Sequence, residues 1–152
     1  MTTRLFRFAS SHGVAAARDA VFEVLQDAEH WPQWWPQIRS VTPYDDTHGC
    51  AEIRSVLPLT LRIELATELV DAESGVLRAT LSGDLVGWSQ FALRADGPER
   101  TILDYTQEVR LGVPGLVGRL ASSFVARPVL IANHAAMMRS GMRGLQRAAS
   151  RR

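Results

Sequence analysis

Period-two alternation of apolar and polar residues between positions 38 and 111 restricts the fold of this chain more than any other feature. Leu103 and Tyr105, for example, alternate with Asp104 and Thr106. A strand with this pattern has one face on a dry core and the other in water. Turn-forming segments interrupt the alternation at regular intervals: DDTHG (45–49), LPLT (57–60), DAESG (71–75), GDLVG (83–87) and ADGPE (95–99). The pattern therefore predicts an antiparallel meander of six strands, which VPG (113–115) ends.

The segments outside the meander predict one more strand, a helix after it and a long final helix. RLFRFASS (4–11) alternates as a strand does. Residues 15–31 place five apolar side chains on one helical face, namely Ala17, Val21, Val24, Leu25 and Ala28. Pro128 is expected to start or kink a final helix that runs to about residue 148. At about 100° per residue, one side of that helix carries Leu130, His134, Met137, Met138, Gly141, Leu145 and Ala148, and the other carries Arg139, Ser140, Arg143 and Arg147.

A short, broken helix is expected between the first helix and the meander. EHWPQWWPQI (29–38) holds three of the four tryptophans, Trp31, Trp34 and Trp35, together with two prolines. Prolines so close together cannot lie inside a long helix, because each lacks an N–H and blocks the preceding turn. Any single tryptophan here is favoured as a core wedge between the first helix and the sheet. Three together indicate that Trp34 or Trp35 closes one end of a pocket.

Together these elements predict an α+β fold. A strongly twisted sheet with one dry face must cover that face, and the final helix is the only long amphipathic element available. We therefore expect a seven-stranded antiparallel sheet wrapped around the C-terminal helix, with two short helices after the first strand. Because a curved sheet bends away from the helix axis, this arrangement leaves an apolar cavity with a few polar groups, which is the usual form of a small-molecule site.

Composition favours a single domain, residues 1–152, in the cytoplasm. The chain has 152 residues, 46% of them hydrophobic, which is sufficient for one core. Cys50 is the only cysteine, so no disulfide framework is expected. The start of the sequence lacks the apolar run of a signal peptide. The longest apolar stretch is interrupted by Arg127, Pro128 and His134, so no stable membrane insertion is expected.

Charge is unevenly distributed along the chain. Residues 1–108 carry 9 arginines and all 16 acidic residues, whereas residues 109–152 carry 8 arginines and no acid. A basic segment of this kind binds a nucleic acid or a membrane surface, or it balances an acidic element of the same fold. The net charge of only +1 favours internal balance, and we expect no nucleic-acid partner. The choice between monomer and homodimer stays open.

Three segments are similar to those of a known superfamily. VAAARDAVFEVLQDAEHWPQWWPQIRSV (14–41) matches the pattern V-x-A-P-x-x-x-V-F/W-x-x-L-x-D plus a tryptophan-proline segment, with Ala17 in place of the proline. GDLVGWSQFAL (83–93) is similar to a later glycine-containing hairpin, and ANHAAMMRSGMRGL (132–145) to the closing helix. The chain thus resembles the START/Bet v 1-like (SRPBCC) superfamily, in its polyketide cyclase/dehydrase and lipid-transport branch. The resemblance implies a helix-grip fold and a polyketide, aromatic or lipid ligand.

Candidate site residues follow from the predicted inward phases. The expected ligand-binding residues are Trp34, Trp35, Leu65, Leu81, Phe91, Tyr105, Gln107, His134, Met137 and Met138. His134 is the candidate catalytic residue, because a neutral imidazole in a cavity can donate to a ligand carbonyl or act as a general base. The alternative is a structural histidine that is bonded to a backbone carbonyl or to Gln107. Arg54 and Arg62 are expected to point outward.

No metal site or cofactor is expected, and three functional classes remain open. The histidines at 12, 30, 48 and 134 lie far apart without metal-ligand spacing, and no phosphate-binding or nucleophile motif is present. One class is a binding or carrier protein. Another is a cyclase or aromatase that holds a poly-β-ketone in a reactive conformation. The third is a protein-interaction or membrane-surface module. A single inward ionisable candidate favours binding.

Overall fold

The computed structural model describes residues 5–54, 60–112 and 126–152. Residues 57–59 of the predicted turn LPLT (57–60) and the predicted stop at 113–115 lie outside these residues. The predicted α+β helix-grip architecture is confirmed, with seven antiparallel strands in one sheet. The strands are β1 (Leu5–Val14), β2 (Ile38–Pro43), β3 (His48–Arg54), β4 (Thr60–Asp71), β5 (Val76–Gly83), β6 (Leu85–Ala95) and β7 (Thr101–Leu111).

Strand order follows the chain except at one edge. Strands β2 to β7 are consecutive neighbours, and β1 joins the far side of β7, which gives the order β1-β7-β6-β5-β4-β3-β2. Directly paired residues on neighbouring strands point to the same face of a sheet. The register pairs Gln107 of β7 with Phe8 on one side and Ser89 on the other. It also pairs Tyr105 with Phe91. Residues from the first strand and the last hairpin therefore share one patch of the inner face.

The helices differ from the sequence-based expectation mainly at their ends. Helix α1 (Arg18–Gln26) is shorter than the predicted 15–31, because β1 runs on to Val14 and a 3-10 helix, Ala28–Gln33, follows. That 3-10 helix contains Pro32, and its tighter turn suits a short segment interrupted by proline. Helix α2 (Ala126–Ala149) begins two residues before Pro128 and ends close to the predicted position. Among the described residues, no helix has both the length and the apolar character needed to cross a membrane.

Two groups of buried side chains form the core. The larger group joins α1, the tryptophan segment, α2 and the ends of β6 and β7, and Val14, Val21, Leu103 and Leu145 are its least exposed members. The smaller group lies at the other end of the sheet, where Leu130 of α2 packs on side chains of the strands. Helix α2 is thus anchored at both ends, and its middle faces the sheet across a gap.

The arginines of α2 point away from the core. Arg139, Arg143 and Arg147 are exposed, as their helical phase predicts, and none forms an ion pair with an acidic residue in the described part of the chain. Within the basic segment, Arg152 does pair with an acidic residue, since its guanidinium lies 3.4 Å from Oε2 of Glu23. The expectation that a basic helix face lies on an acidic element therefore does not hold for these three arginines.

Candidate ligand-binding cavity

A cavity of about 180 Å³ lies between the inner face of the sheet and α2. All seven strands contribute to its wall, together with the tryptophan segment and α2. Most of the wall is aliphatic or aromatic, and five described lining residues supply polar side chains other than indole: Ser89, Tyr105, Gln107, Asn133 and His134. No arginine, aspartate or glutamate is among the described lining residues. Since an unpaired charge is costly in such surroundings, the cavity suits an uncharged molecule.

Three of the polar side chains form a connected group. The Tyr105 hydroxyl donates to Oε1 of Gln107 at 2.7 Å, and Nε2 of His134 lies 3.0 Å from the same oxygen. Strand β7 holds Tyr105 and Gln107 two residues apart and therefore on the same face, while α2 brings His134 from the opposite wall. His134 contacts Gln107, as the structural alternative expects, and it also lines the cavity, so its catalytic role stays a prediction.

The surroundings keep His134 uncharged. Burial lowers the pKa of its imidazole to about 4, since the apolar wall solvates the cation poorly. The ring of Phe8 stacks on the imidazole with 3.8 Å between centroids, and Tyr105 lies on it at 5.9 Å. Burial also raises the pKa of the Tyr105 hydroxyl. Both groups are therefore neutral hydrogen-bonding partners at physiological pH.

The tryptophan segment contributes two of its three rings to the cavity wall. Trp31 and Trp35 line the cavity, and Trp34 does not. The indole N–H of Trp35 donates to the backbone carbonyl of Met137 at 3.1 Å, which ties the segment to α2. Trp34 stacks behind Trp35 at 5.5 Å, and its backbone packs on Gly144. Trp34, which was expected at the cavity, thus packs on Trp35 and on α2, and Trp31 lines the wall instead.

The other nine predicted ligand-binding residues are brought together on the cavity wall. They are Trp35, Leu65, Leu81, Phe91, Tyr105, Gln107, His134, Met137 and Met138. Their common position follows from the period-two phase of the strands and the helical phase of α2, both of which are readable in the sequence. Contact with a ligand stays a prediction for each of them.

Sequence reasoning missed several side chains of the wall. Phe8 shares the phase of Phe6 on β1, so alternation could have found it, but only the β1–β7 register places it on His134. Asn133 precedes His134 on α2, and its Oδ1 is buried without a hydrogen-bond partner. Ser89 reaches the wall through its pairing with Gln107. Neither Asn133 nor Ser89 has a signal in the sequence that separates it from other polar residues.

The remaining histidines have local partners of their own. His12 lies 2.8 Å from the Ser10 hydroxyl, His30 pairs with Asp27 at 2.7 Å, and His48 pairs with Asp45 at 3.0 Å. Within the described ranges, no group of three or more histidine, cysteine, aspartate or glutamate side chains is arranged to hold a metal ion.

Comparison with known proteins agrees with this architecture. The model of a family described as polyketide cyclase/dehydrase and lipid transport matches residues 6–150. No curated protein matches the sequence significantly.

Solved structures show the same fold at low sequence identity. An aromatase/cyclase, Zhui, from a Streptomyces species superposes with a TM-score of 0.83 at 19% identity, over 98% of this chain and 96% of its own. A START superfamily protein from Mycobacterium smegmatis gives a TM-score of 0.70 at 18% identity, over 95% and 97%. Norcoclaurine synthase from Thalictrum flavum gives 0.60 at 16% identity, over 95% and 96%. At these low identities the similarity shows a common fold and nothing further.

Proposed function

Because the chain belongs to the polyketide cyclase/dehydrase and lipid-transport family, we propose that it binds a small, uncharged hydrophobic molecule (a polyketide, an aromatic compound or a lipid) between its sheet and α2. The observation that carries the proposal is a cavity whose described wall is apolar except for a few neutral polar side chains. Such a wall stabilises an apolar ligand by removing its surface from water.

The size of the cavity sets the size of the ligand. A cavity of about 150 Å³ is known to admit benzene in another protein, and this one measures about 180 Å³. By this comparison, a molecule the size of one aromatic ring fits without rearrangement, and a two-ring probe tests whether the cavity takes more. A longer chain would require the wall to move, and Met137 and Met138 are flexible side chains suited to such adjustment.

A cyclase- or aromatase-type enzyme is the second candidate. His134 favours it, because its neutral imidazole lies on the cavity wall and can exchange a proton with a ligand. The structural similarity to an aromatase/cyclase points the same way. Against it, a base is most effective when its pKa is near the working pH, and the pKa of His134 is about 4. Because the low pKa of His134 makes it a weak base, we favour ligand binding over general-base catalysis.

Calorimetric titration with naphthalene and with naphthoate tests the binding proposal. Both probes have the same ring system, but naphthoate carries a charge that no described side chain of the wall can pair. We expect naphthalene to bind and naphthoate to bind at least about tenfold more weakly. Failure of naphthalene to bind, or tighter binding of naphthoate, would contradict the proposal.

The variant His134→Leu separates the carrier from the enzyme. A carrier keeps its affinity for naphthalene within about tenfold, or ~1.4 kcal/mol. An enzyme that uses this base loses about 10²–10⁴-fold in the rate of cyclisation of a poly-β-ketone. Ser89→Ala is a matched control, because it removes another polar group of the wall without touching the imidazole.

A further inference from the structure

The carbonyl oxygen of Gln107 is approached by two hydrogen-bonding groups at once. The Tyr105 hydroxyl lies 2.7 Å away and Nε2 of His134 lies 3.0 Å away. An amide oxygen accepts hydrogen bonds and cannot donate them. Both approaching groups must therefore be donors, which places a hydrogen on Nε2 of His134.

The reversed arrangement of the Gln107 amide is less satisfactory. In it, the amide NH₂ would donate to both neighbours, and the hydroxyl hydrogen of Tyr105 would need a different acceptor. Among the described residues, Gln107 is the one hydrogen-bond partner of that buried hydroxyl. A buried donor left without an acceptor is destabilising. The observed geometry thus favours the carbonyl oxygen as the shared acceptor.

A neutral imidazole carries a hydrogen on only one of its two ring nitrogens, so a hydrogen on Nε2 leaves Nδ1 with a lone pair. The ring is also held in place, because Phe8 stacks on it at 3.8 Å with 14° between the planes. His134 and Tyr105 are the titratable groups among the described residues of the wall, so no carboxylate there competes for the imidazole hydrogen. The remaining ring nitrogen, Nδ1, can therefore only accept a hydrogen bond.

We propose that Gln107 is a positioning residue that holds His134 in its Nε2-protonated tautomer, so that the cavity selects uncharged ligands that donate a hydrogen bond through a hydroxyl or N–H. A phenol or an enol meets this requirement, whereas a simple ketone or ether only accepts. The ligand preference rests on the proposed function. The tautomer does not, because it belongs to the ligand-free protein.

Nitrogen NMR of histidine-labelled protein measures the tautomer directly. We expect Nε2–H in the wild type and in Gln107→Glu, since a carboxylate accepts as the amide oxygen does, and a substantial Nδ1–H fraction in Gln107→Leu. Gln90→Leu is the matched control, because it makes the same change on β6, on the face opposite the lining residues Ser89 and Phe91. It should leave the His134 signals unchanged.

Several results would overturn the role of Gln107. One is an Nδ1–H tautomer in the wild type, which is what the reversed amide requires. Another is a folded Gln107→Leu variant with the wild-type tautomer. If Gln107→Leu fails to fold, Gln107→Glu still decides the matter: its carboxylate should raise the pKa of His134, and an unchanged titration of His134 would contradict the contact.

A pair of ligands tests the selection. Naphthol and methoxynaphthalene share a ring system, but only naphthol donates a hydrogen bond. We expect naphthol to bind the wild type on the order of tenfold more tightly, with that preference lost in His134→Leu. Equal affinities would overturn the selection and leave the binding function intact. Absence of binding by both ligands would overturn the binding function and the selection, while the NMR result still decides the role of Gln107.

Discussion

Glycine at two positions of α2 illustrates how single residues determine the packing around the cavity. Glycine inside a helix is about 1 kcal/mol less favourable than alanine, so Gly141 and Gly144 need a compensating reason. A β-carbon at Gly141 would overlap the indole ring of Trp35, and one at Gly144 would overlap the backbone carbonyl of Trp34. The two glycines therefore allow the tryptophan segment to lie directly on the helix.

The substitution Gly144→Ala tests this close approach. We expect the free energy of unfolding to fall by about 1–3 kcal/mol, because two backbones must separate and the gain in helix propensity is smaller. Chemical denaturation measures the change. Arg143→Ala, one residue away on the exposed face of the same helix, should stay within about 0.5 kcal/mol of the wild type. A Gly144→Ala protein as stable as the wild type would show that the segment and α2 can part freely.

At the scale of elements, the tryptophan segment is tied to both α1 and α2 beside the cavity. The indole N–H groups of Trp31 and Trp35 donate to the backbone carbonyls of Leu25 and Met137, respectively. Each polar indole atom is therefore satisfied while the rings line the cavity. The fourth tryptophan, Trp88, stacks with the guanidinium of Arg78 at 4.2 Å and does not line the cavity.

Ligand entry should therefore be visible in the fluorescence of particular tryptophans. We expect titration with a non-absorbing apolar ligand, such as a fatty alcohol, to change the emission of the wild type. The change should shrink in Trp31→Phe and Trp35→Phe, whose rings line the cavity, and persist in Trp88→Phe, the control on the far side of the sheet. A response that disappears only in Trp88→Phe would mean that the ligand binds elsewhere.

The exposed arginines of α2 should bind anionic membranes weakly. A basic side chain near an anionic surface contributes about 1 kcal/mol, so Arg139, Arg143 and Arg147 together supply roughly 3 kcal/mol, and this attraction is screened over about 10 Å at 0.1 M salt. We expect little co-sedimentation with anionic vesicles at physiological salt. Strong binding that fades with salt and is lost when all three arginines are replaced by glutamine would instead support a membrane-surface role.

At the scale of the whole molecule, the buried imidazole couples folding to pH. The pKa of His134 is about 4 in the folded protein, below its ordinary value of 6.5, so the unfolded chain binds more protons between these pH values. Stability must then rise with pH across this window. The contribution is fully present above about pH 6.5 and is lost as the pH falls towards 4.

The variant His134→Leu isolates this coupling. At 1.36 kcal/mol per pKa unit, the difference between about 4 and 6.5 corresponds to about 3 kcal/mol. We expect the free energy of unfolding of the wild type to fall by about this much more than that of His134→Leu between pH 7 and pH 4. His12, with a lowered pKa, and His30, with a raised one, titrate in both proteins and cancel in the comparison. Parallel curves would mean that His134 is not buried as described.

The strands, the long final helix and nine side chains of the cavity wall could be predicted from the sequence. Those features depend on local periodicity: a strand repeats every two residues and a helix every 3.6, so Leu81, Tyr105 and Met138 could be assigned to inner faces from the letters alone. The exposure of Arg139, Arg143 and Arg147 followed from the same helical phase. The end of α1 was less accurate, because the tryptophan segment does not follow one period.

The remaining features depend on contacts between distant segments of the chain. The β1–β7 register brought Phe8 onto His134, and the approach of α2 to β7 brought the imidazole to Gln107. The packing of Trp34 on Trp35 and Gly144 left Trp31 and Trp35 as the tryptophans of the wall. No local pattern encodes these contacts, because each depends on how elements far apart in the chain pack around the cavity. The direction of the hydrogen bonds at Gln107 is likewise fixed only when β7 and α2 have packed together.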